Sequence, residues 1–170
     1  GVMPQTIEAI NHAKAAEVPI VVAVNKIDKP GANPEKIKEE LSAMNYLVED
    51  WGGKYQCQEI SAKQGINIQA VLDDIVDHVP APQGDPNAPL QALVFDSQYD
   101  SYRGVVVYFR IMEGTIRTSQ TIKMMATGAT YQIVECGHLL PLGLEPCKEL
   151  SAGEVGYFTA SINRQRYPGG

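Results

Sequence analysis

The residues from Val18 to Val24 constrain the fold of this chain more than any other segment. Apolar side chains follow one another there almost without a break, and most of them are β-branched. Such a run is typical of a strand that is buried on both faces of a parallel sheet. Helices are predicted on either side of it, one over residues 4–16 and one that begins at Pro34 with Asn33 as its N-cap. The segment therefore predicts an α/β fold.

A polar loop, Asn25-Lys26-Ile27-Asp28, follows this strand directly. Open α/β sheets bind ligands at the carboxyl ends of their strands. The Asp28 carboxylate can accept both adjacent donors of a guanine ring, N1–H and N2–H₂, whereas adenine presents an acceptor at N1. The Lys26 stem can lie along a base, and Asn25 can fix the loop or reach a base edge. The same residue types are also ordinary turn formers, so both readings stay open for this loop alone.

A second strand is predicted from Tyr55 to Ile60, and Ser61-Ala62-Lys63 follows it. Because parallel strands end at the same edge of a sheet, this loop is expected beside the first one. A third helix is predicted over residues 66–79. Its apolar positions, spaced for one helix face, are expected to point inward: Ile68, Val71, Leu72 and Ile75.

The stretch from Pro80 to Pro89 holds four prolines and a glycine, which predicts a linker. After it the helical period gives way to short strand candidates separated by turns, which predicts a small closed or nearly closed β-barrel. These candidates are residues 90–95, 104–112, 120–125, 130–135 and 154–162. The predicted organisation is an α/β half-domain over residues 1–79, a linker over 80–89, an all-β barrel over 90–162 and a tail over 163–170.

Together the motifs N-K-x-D and S-A-K resemble the guanine-binding motifs of the P-loop GTPases, and longer stretches resemble the translational GTPase family. Residues 1–59 are similar to the G domain of the bacterial initiation-factor GTPase. Residues 60–162 are similar to the LepA-type elongation factors, at the end of the G domain and in the barrel that follows. The mixture predicts a fragment or a chimera of such proteins.

The resemblance implies GTP or GDP as ligand. By it, the backbone N–H near Ala62 would donate to guanine O6 and Lys63 would cover the far side of the ring. The guanine-binding residues it implies are Asn25, Lys26, Asp28, Ser61, Ala62 and Lys63. It also marks a departure, because the LepA family usually has a glycine in the turn at Thr118-Ser119-Gln120. Ser119 is therefore expected to need a different turn type or to bear mild strain.

A phosphate loop of the form G-x-x-x-x-G-K-[ST] does not occur in the sequence, and the switch elements of the family are not recognisable. We therefore expect no GTP hydrolysis by this chain alone, no catalytic residue, and Mg²⁺ only in a complete relative. A base pocket without phosphate contacts is expected to bind with a dissociation constant of about 1 mM.

The resemblance also implies contact of the barrel with ribosomal RNA or protein of the small subunit. The formal charge of −6 gives no general basic excess, so such a contact would depend on a few cations. Candidates are Arg103, Arg110, Arg117 and Lys123. Two alternatives are a non-enzymatic partner-binding module and a chain engineered for folding studies. Self-association through the exposed edge of a short sheet is a further expectation.

Other site types are disfavoured by the sequence. The three cysteines and three histidines lack metal-ligand spacing, and reduced structural thiols are expected. The acids Asp73, Asp74 and Asp77 are expected on a solvated helix face rather than around a metal. No apolar run approaches the length of a membrane span, and no signal peptide is recognisable. The predicted location is the cytoplasm, or the matrix of a plastid or mitochondrion.

Overall fold

A computed structural model describes residues 1–161 of the chain, which divide into two units, Gly1–Ala81 and a second one that begins at Pro82. Ile162, the last residue of the predicted strand over 154–162, and the predicted tail over 163–170 lie outside the described residues. Each unit has its own cluster of buried apolar side chains.

The first unit alternates helices and strands. Its elements in chain order are α1 (Pro4–Ala15), β1 (Val22–Val24), α2 (Pro34–Ala43), β2 (Cys57–Glu59) and α3 (Ile68–His78). The two strands pair in parallel, with Val22 opposite Cys57 and Val24 opposite Glu59. Parallel pairing with helical connections is the α/β arrangement that the sequence predicts.

Local signals account for the second helix. Pro34 stands in its first turn, and the Asn33 side chain accepts a hydrogen bond from the Lys36 N–H at 3.1 Å. An N-cap of this kind satisfies a donor that the first helical turn leaves unpaired. Leu41 on this helix is buried with Tyr46, Val48 and Cys57.

Two predictions for this unit are wrong. The strand is shorter than Val18–Val24 and is not fully buried, because Val22 and Val24 are half-buried and Ala23 is exposed. Within residues 1–161 each of the two strands has a partner on one side only, so an edge remains open. On α3 the apolar face is only partly covered: Leu72 is 50% exposed and Ile75 is 42% exposed.

The second unit is built from strands. They are β3 (Gln91–Asp100), β4 (Gly104–Glu113), β5 (Thr115–Arg117), β6 (Thr121–Lys123), β7 (Thr130–Leu140), β8 (Gly143–Cys147), β9 (Glu149–Ser151) and β10 (Val155–Ala160). A six-stranded sheet follows the order β3-β4-β10-β7-β6, with β8 also paired to β7, and β5 pairs with β9 separately. In the part of the chain that is described, no pairing joins β3 to β6, so the hydrogen-bonded path is that of a partial barrel rather than a closed one.

The core of the second unit lies between these sheets. Phe109, Ile111, Ile116, Ile133 and Leu150 are essentially inaccessible to solvent. The Phe109 ring lies 5.6 Å from the Phe158 ring, centroid to centroid, at a tilt of 42°.

The turn at Ser119 adopts the left-handed backbone conformation, with φ of 69°. A side chain in this region carries a steric cost that glycine does not. The Ser119 N–H donates to the Ile133 carbonyl at 2.8 Å, which holds the turn against β7.

Candidate functional site

The two polar loops meet at the carboxyl ends of β1 and β2. The pairing of the strands continues into them, because Ile60 N–H donates to the Val24 carbonyl at 2.9 Å and Ile27 N–H donates to the Ile60 carbonyl at 3.2 Å. The residue types at the two loops are therefore brought to one edge of the sheet, as their positions after the strands predict.

Asp28 is fixed from the second loop. The buried Ser61 hydroxyl donates to Asp28 Oδ1 at 2.7 Å and accepts from the Gln64 N–H at 3.2 Å. Asp28 itself is exposed, and among residues 1–161 its Oδ2 accepts no hydrogen bond. One carboxylate oxygen is thus held while the other faces outward, available to a ligand.

Asn25 joins the two loops. Its Oδ1 accepts from the Lys26 N–H at 2.7 Å and from the Ala62 N–H at 3.0 Å. The Ala62 donor expected to meet a ligand is therefore engaged by Asn25 in the structure. Lys26 adopts a φ of 69°, a left-handed conformation that closes the turn after β1.

The two lysines of the motifs are exposed, and no ion pair of Lys26 or Lys63 occurs within the described residues. Their long stems and free ammonium groups allow each to cover apolar or aromatic surface while the charge stays hydrated. The structure therefore brings Asn25, Asp28, Ser61 and Ala62 into one hydrogen-bonded group, with lysines beside it.

Backbone bonds close the second loop at its base. Ser61 and Ile66 exchange N–H···O bonds of 3.2 and 3.0 Å. Asn67, in the left-handed region with φ of 54°, donates from Nδ2 to the Glu59 carbonyl at 2.8 Å. Sequence reasoning did not find this contact between Asn67 and Glu59. The one feature of the sequence that pointed to it is the position of Asn67 directly before a helix.

A buried lysine also supports this edge of the unit. The Lys38 ammonium lies 2.7 Å from Glu59, 3.0 Å from Asp50 and 3.5 Å from Glu35, and its side chain is only 5% exposed. The hydrogen bond to Glu59 raises the Lys38 pKa above its ordinary value, against the opposing effect of burial. Sequence reasoning missed Lys38, although its position three residues before Leu41 places it at the border of the apolar stripe.

The acids of α3 and the cations of the second unit are not part of this site. Asp74 accepts from Gln58 Nε2 at 2.9 Å, and in the described part of the chain no cluster of His, Cys, Asp or Glu has the arrangement of a metal site. Of the four cations named on the strand-rich unit, Arg103 pairs with Glu135 at 3.0 Å and Arg117 pairs with Glu149 at 2.8 Å. No described helix is long and apolar enough to cross a membrane.

Known proteins resemble this chain in sequence. Residues 1–81 match the family model of the elongation factor Tu GTP-binding domain. The chain is 46% identical over 162 residues to elongation factor 4 of Acetivibrio thermocellus, a match that covers 95% of this chain and 26% of that protein. Both units of the chain therefore resemble translational GTPases. Elongation factor 4 of Bacillus subtilis is likewise 46% identical over 164 residues and 26% covered.

The sequence predicts that the two halves of the chain resemble two different kinds of translational GTPase. In these matches one kind, elongation factor 4, aligns with both halves, so the predicted chimera is not confirmed. The chain spans about a quarter of the length of these relatives. The matched model describes a GTP-binding domain and the relatives are elongation factors, which agrees with the resemblance of the motifs.

Solved translational GTPases share the fold. The elongation factor SelB from Methanococcus maripaludis has a TM-score of 0.73 at 17% identity, over 98% of this chain and 36% of that one. GDP-bound aIF5B from Aeropyrum pernix has a TM-score of 0.66 at 17% identity, over 95% of this chain and 35% of that one. These neighbours support a partial G domain followed by β structure.

Proposed function

We propose that the loops after β1 and β2 bind the guanine base of GTP or GDP, in a protein that acts as a ribosome-associated translational GTPase. The observation that carries this proposal is the state of Asp28. Ser61 holds one carboxylate oxygen at 2.7 Å, and the other oxygen has no partner in the described residues. An oriented carboxylate with an open oxygen is what two adjacent guanine donors require.

The hydroxyl of Ser61 matters because it is buried and also accepts from Gln64. It holds the carboxylate in place before a ligand arrives, so less rotational freedom is lost on binding. Guanine N1–H and N2–H₂ would then share the Asp28 carboxylate. Adenine would place an acceptor against it and leave it unpaired.

The Ala62 N–H is the expected donor to guanine O6, and Asn25 Oδ1 accepts from it at 3.0 Å. The base oxygen would share this donor in a three-centre bond or would displace the Asn25 side chain. In the second case Asn25 Nδ2, which donates no hydrogen bond within residues 1–161, can turn to an acceptor on the base edge. Lys26 and Lys63 would lie along the two ring faces.

The described residues account for the base end of the nucleotide only. No group of three or more His, Cys, Asp or Glu side chains that could hold a metal ion occurs among them. Hydrolysis and Mg²⁺ binding are proposed for a complete relative. For the second unit we propose contact with the ribosome through two of its exposed cations that lack ion pairs in the described structure, Arg110 and Lys123.

A second candidate is a binding module in which the loops are only structural. It is favoured by the fact that Ala62 N–H and one Asp28 oxygen already have partners within the chain. In this case the strand-rich unit would carry the function and the first unit would be its scaffold.

Titration of the chain with GDP and with ADP, followed by amide NMR, separates the two candidates. Guanine recognition predicts shifts at the Asn25–Asp28 and Ser61–Lys63 amides, a GDP dissociation constant of about 1 mM, and ADP at least about tenfold weaker. Asp28→Ala is expected to remove the difference between the nucleotides. Asp77→Ala, which removes the same charge from the exposed face of α3, is the control and should retain it. Equal shifts with both nucleotides would favour the structural candidate.

A further inference from the structure

Two cysteines of the second unit stand opposite each other on neighbouring strands. Cys136 of β7 and Cys147 of β8 are register partners in the antiparallel pairing. Directly opposed residues in such a ladder have Cα atoms about 4.5–5.5 Å apart, and their side chains share one face of the sheet. This separation lies within the range of about 4.4–6.8 Å that a disulfide spans.

The two side chains meet at the same edge of the core. Cys136 is fully buried in the apolar cluster of the second unit, and Cys147 packs against that cluster while remaining partly exposed. The Cys136 thiol lies 3.5 Å from the Cys147 carbonyl oxygen, and the Cys147 thiol donates to the Glu149 carbonyl at 3.3 Å. Both sulfurs thus lie beside the same stretch of backbone, Cys147 to Glu149.

We propose that Cys136 and Cys147 form an intramolecular disulfide when the chain reacts with a hydroperoxide. The Cys147 thiolate, the more accessible of the two, attacks the peroxide: an S–O bond forms and the O–O bond breaks. The departing alkoxide or hydroxide takes up the proton that the thiol released and leaves as an alcohol or water. The Cys136 sulfur then attacks the Cys147 sulfur, so that the S–S bond forms and the S–O bond breaks. The departing oxygen leaves as water with the Cys136 proton. Two thiols are oxidised and one hydroperoxide is reduced.

The third cysteine serves as an internal comparison. Cys57 is buried in the first unit, and burial raises the pKa of its thiol. Burial, followed by the neighbouring Cys136 thiol, also raises the pKa of Cys147. Since the thiolate is the reacting form, the oxidation should accelerate as the pH rises towards this raised pKa.

The disulfide would join β8 covalently to β7, the one strand with which it pairs in the described sheet. β8 pairs only with β7 in the described sheet, and the turn between them exposes Leu140 and Leu142. A disulfide at the base of this hairpin restricts the unfolded chain and holds β8 on β7. We expect the oxidised chain to unfold at a temperature roughly 10 °C above the reduced one.

Peptide mapping of the full chain by mass spectrometry under non-reducing conditions, after hydrogen peroxide treatment, tests the proposal. We expect a linked pair of peptides containing Cys136 and Cys147, with the mass of two hydrogen atoms lost, that dithiothreitol separates. Cys57→Ser should retain the link and Cys147→Ala should abolish it.

Cys147 is chosen for substitution because it is partly exposed, whereas Cys136 lies inside the core and its replacement threatens folding. Three results would overturn the proposal: Cys147 oxidised to the sulfinic acid beside an unchanged Cys136 thiol, a link to Cys57, or links only between separate chains. The unfolding temperature of the cross-linked chain gives a second readout, and no rise above the reduced chain would exclude the stabilising role.

Discussion

Replacing Phe109 by alanine is expected to lower the free energy of unfolding of the second unit by about 4 kcal/mol. Phe109 is inaccessible to solvent in β4 and packs against Phe158 at 5.6 Å between ring centroids. Truncation of a buried phenylalanine costs roughly 3–5 kcal/mol, because the transfer free energy of the ring is lost and a cavity remains. Urea unfolding followed by far-ultraviolet circular dichroism measures the change.

Phe95→Ala is the matched control for this prediction. It removes the same ring from β3, where Phe95 is 57% exposed. An exposed truncation of this kind should cost less than about 1 kcal/mol. Equal losses at the two positions would contradict the assignment of the core to the space around Phe109.

Replacing Lys38 by methionine is expected to lower the free energy of unfolding of the first unit by about 2 kcal/mol. Methionine has a side chain of similar length to lysine, but the change leaves Glu35, Asp50 and Glu59 without their shared cation. Removing one partner of a buried ion pair costs roughly 3–5 kcal/mol. The three carboxylates are 63%, 58% and 37% exposed, so water compensates part of this loss.

The pH dependence of the Lys38 contribution follows from the direction of its shift. Its pKa is raised in the folded chain, so its stabilisation is complete below the ordinary lysine pKa of about 10.4 and is lost as the pH rises through the higher folded value. Between neutral pH and pH 9, the titration of Lys38 should therefore not change the difference in free energy of unfolding between the variant and the parent.

Trp51 is the single tryptophan of the chain and lies in the first unit, next to Asp50. Its fluorescence in urea reports the stability of this unit in the Lys38→Met variant. Lys36→Met removes the same charge from the same helix at an exposed position without an ion pair in the described structure. A loss of stability as large in this control would show that helix charge, rather than the buried cluster, determines the effect.

The sequence was a good guide where the signal is local. Pro34 and Asn33 mark the start of α2, and the nearly continuous apolar run indicates a strand at β1. What the pattern could not show is which face is covered. The periodicity of α3 predicts Leu72 and Ile75 to be inward, yet both are exposed, because a helix face is buried only where another element packs on it.

Among the strands, short and irregular ones escaped prediction. β8 contains Pro146, and a proline argues against a central strand, although it is tolerated at an edge. β5 and β9 have three residues each, too few for an alternating pattern. Their pairing depends on contacts between residues far apart in sequence.

For the candidate site, position after the strands predicted that Asn25, Asp28, Ser61 and Ala62 come together. The hydrogen bond of Ala62 N–H to Asn25 was not foreseen, because a spacing rule gives proximity but not which donor meets which acceptor. Lys38 was not foreseen either. A lysine on an amphipathic helix is expected in solvent, and its burial depends on carboxylates from two other segments.

The most direct test of guanine recognition is a change of base preference in the Asp28→Asn variant. Xanthine carries a carbonyl where guanine carries the N2 amino group, so an asparagine amide can donate where the aspartate only accepted. NMR titration of the variant is predicted to show weaker GDP binding together with a gain of xanthosine diphosphate binding at the same two loops. A gain of binding is not a consequence of misfolding. If the variant binds both nucleotides as the parent does, the assignment of Asp28 to the base is contradicted.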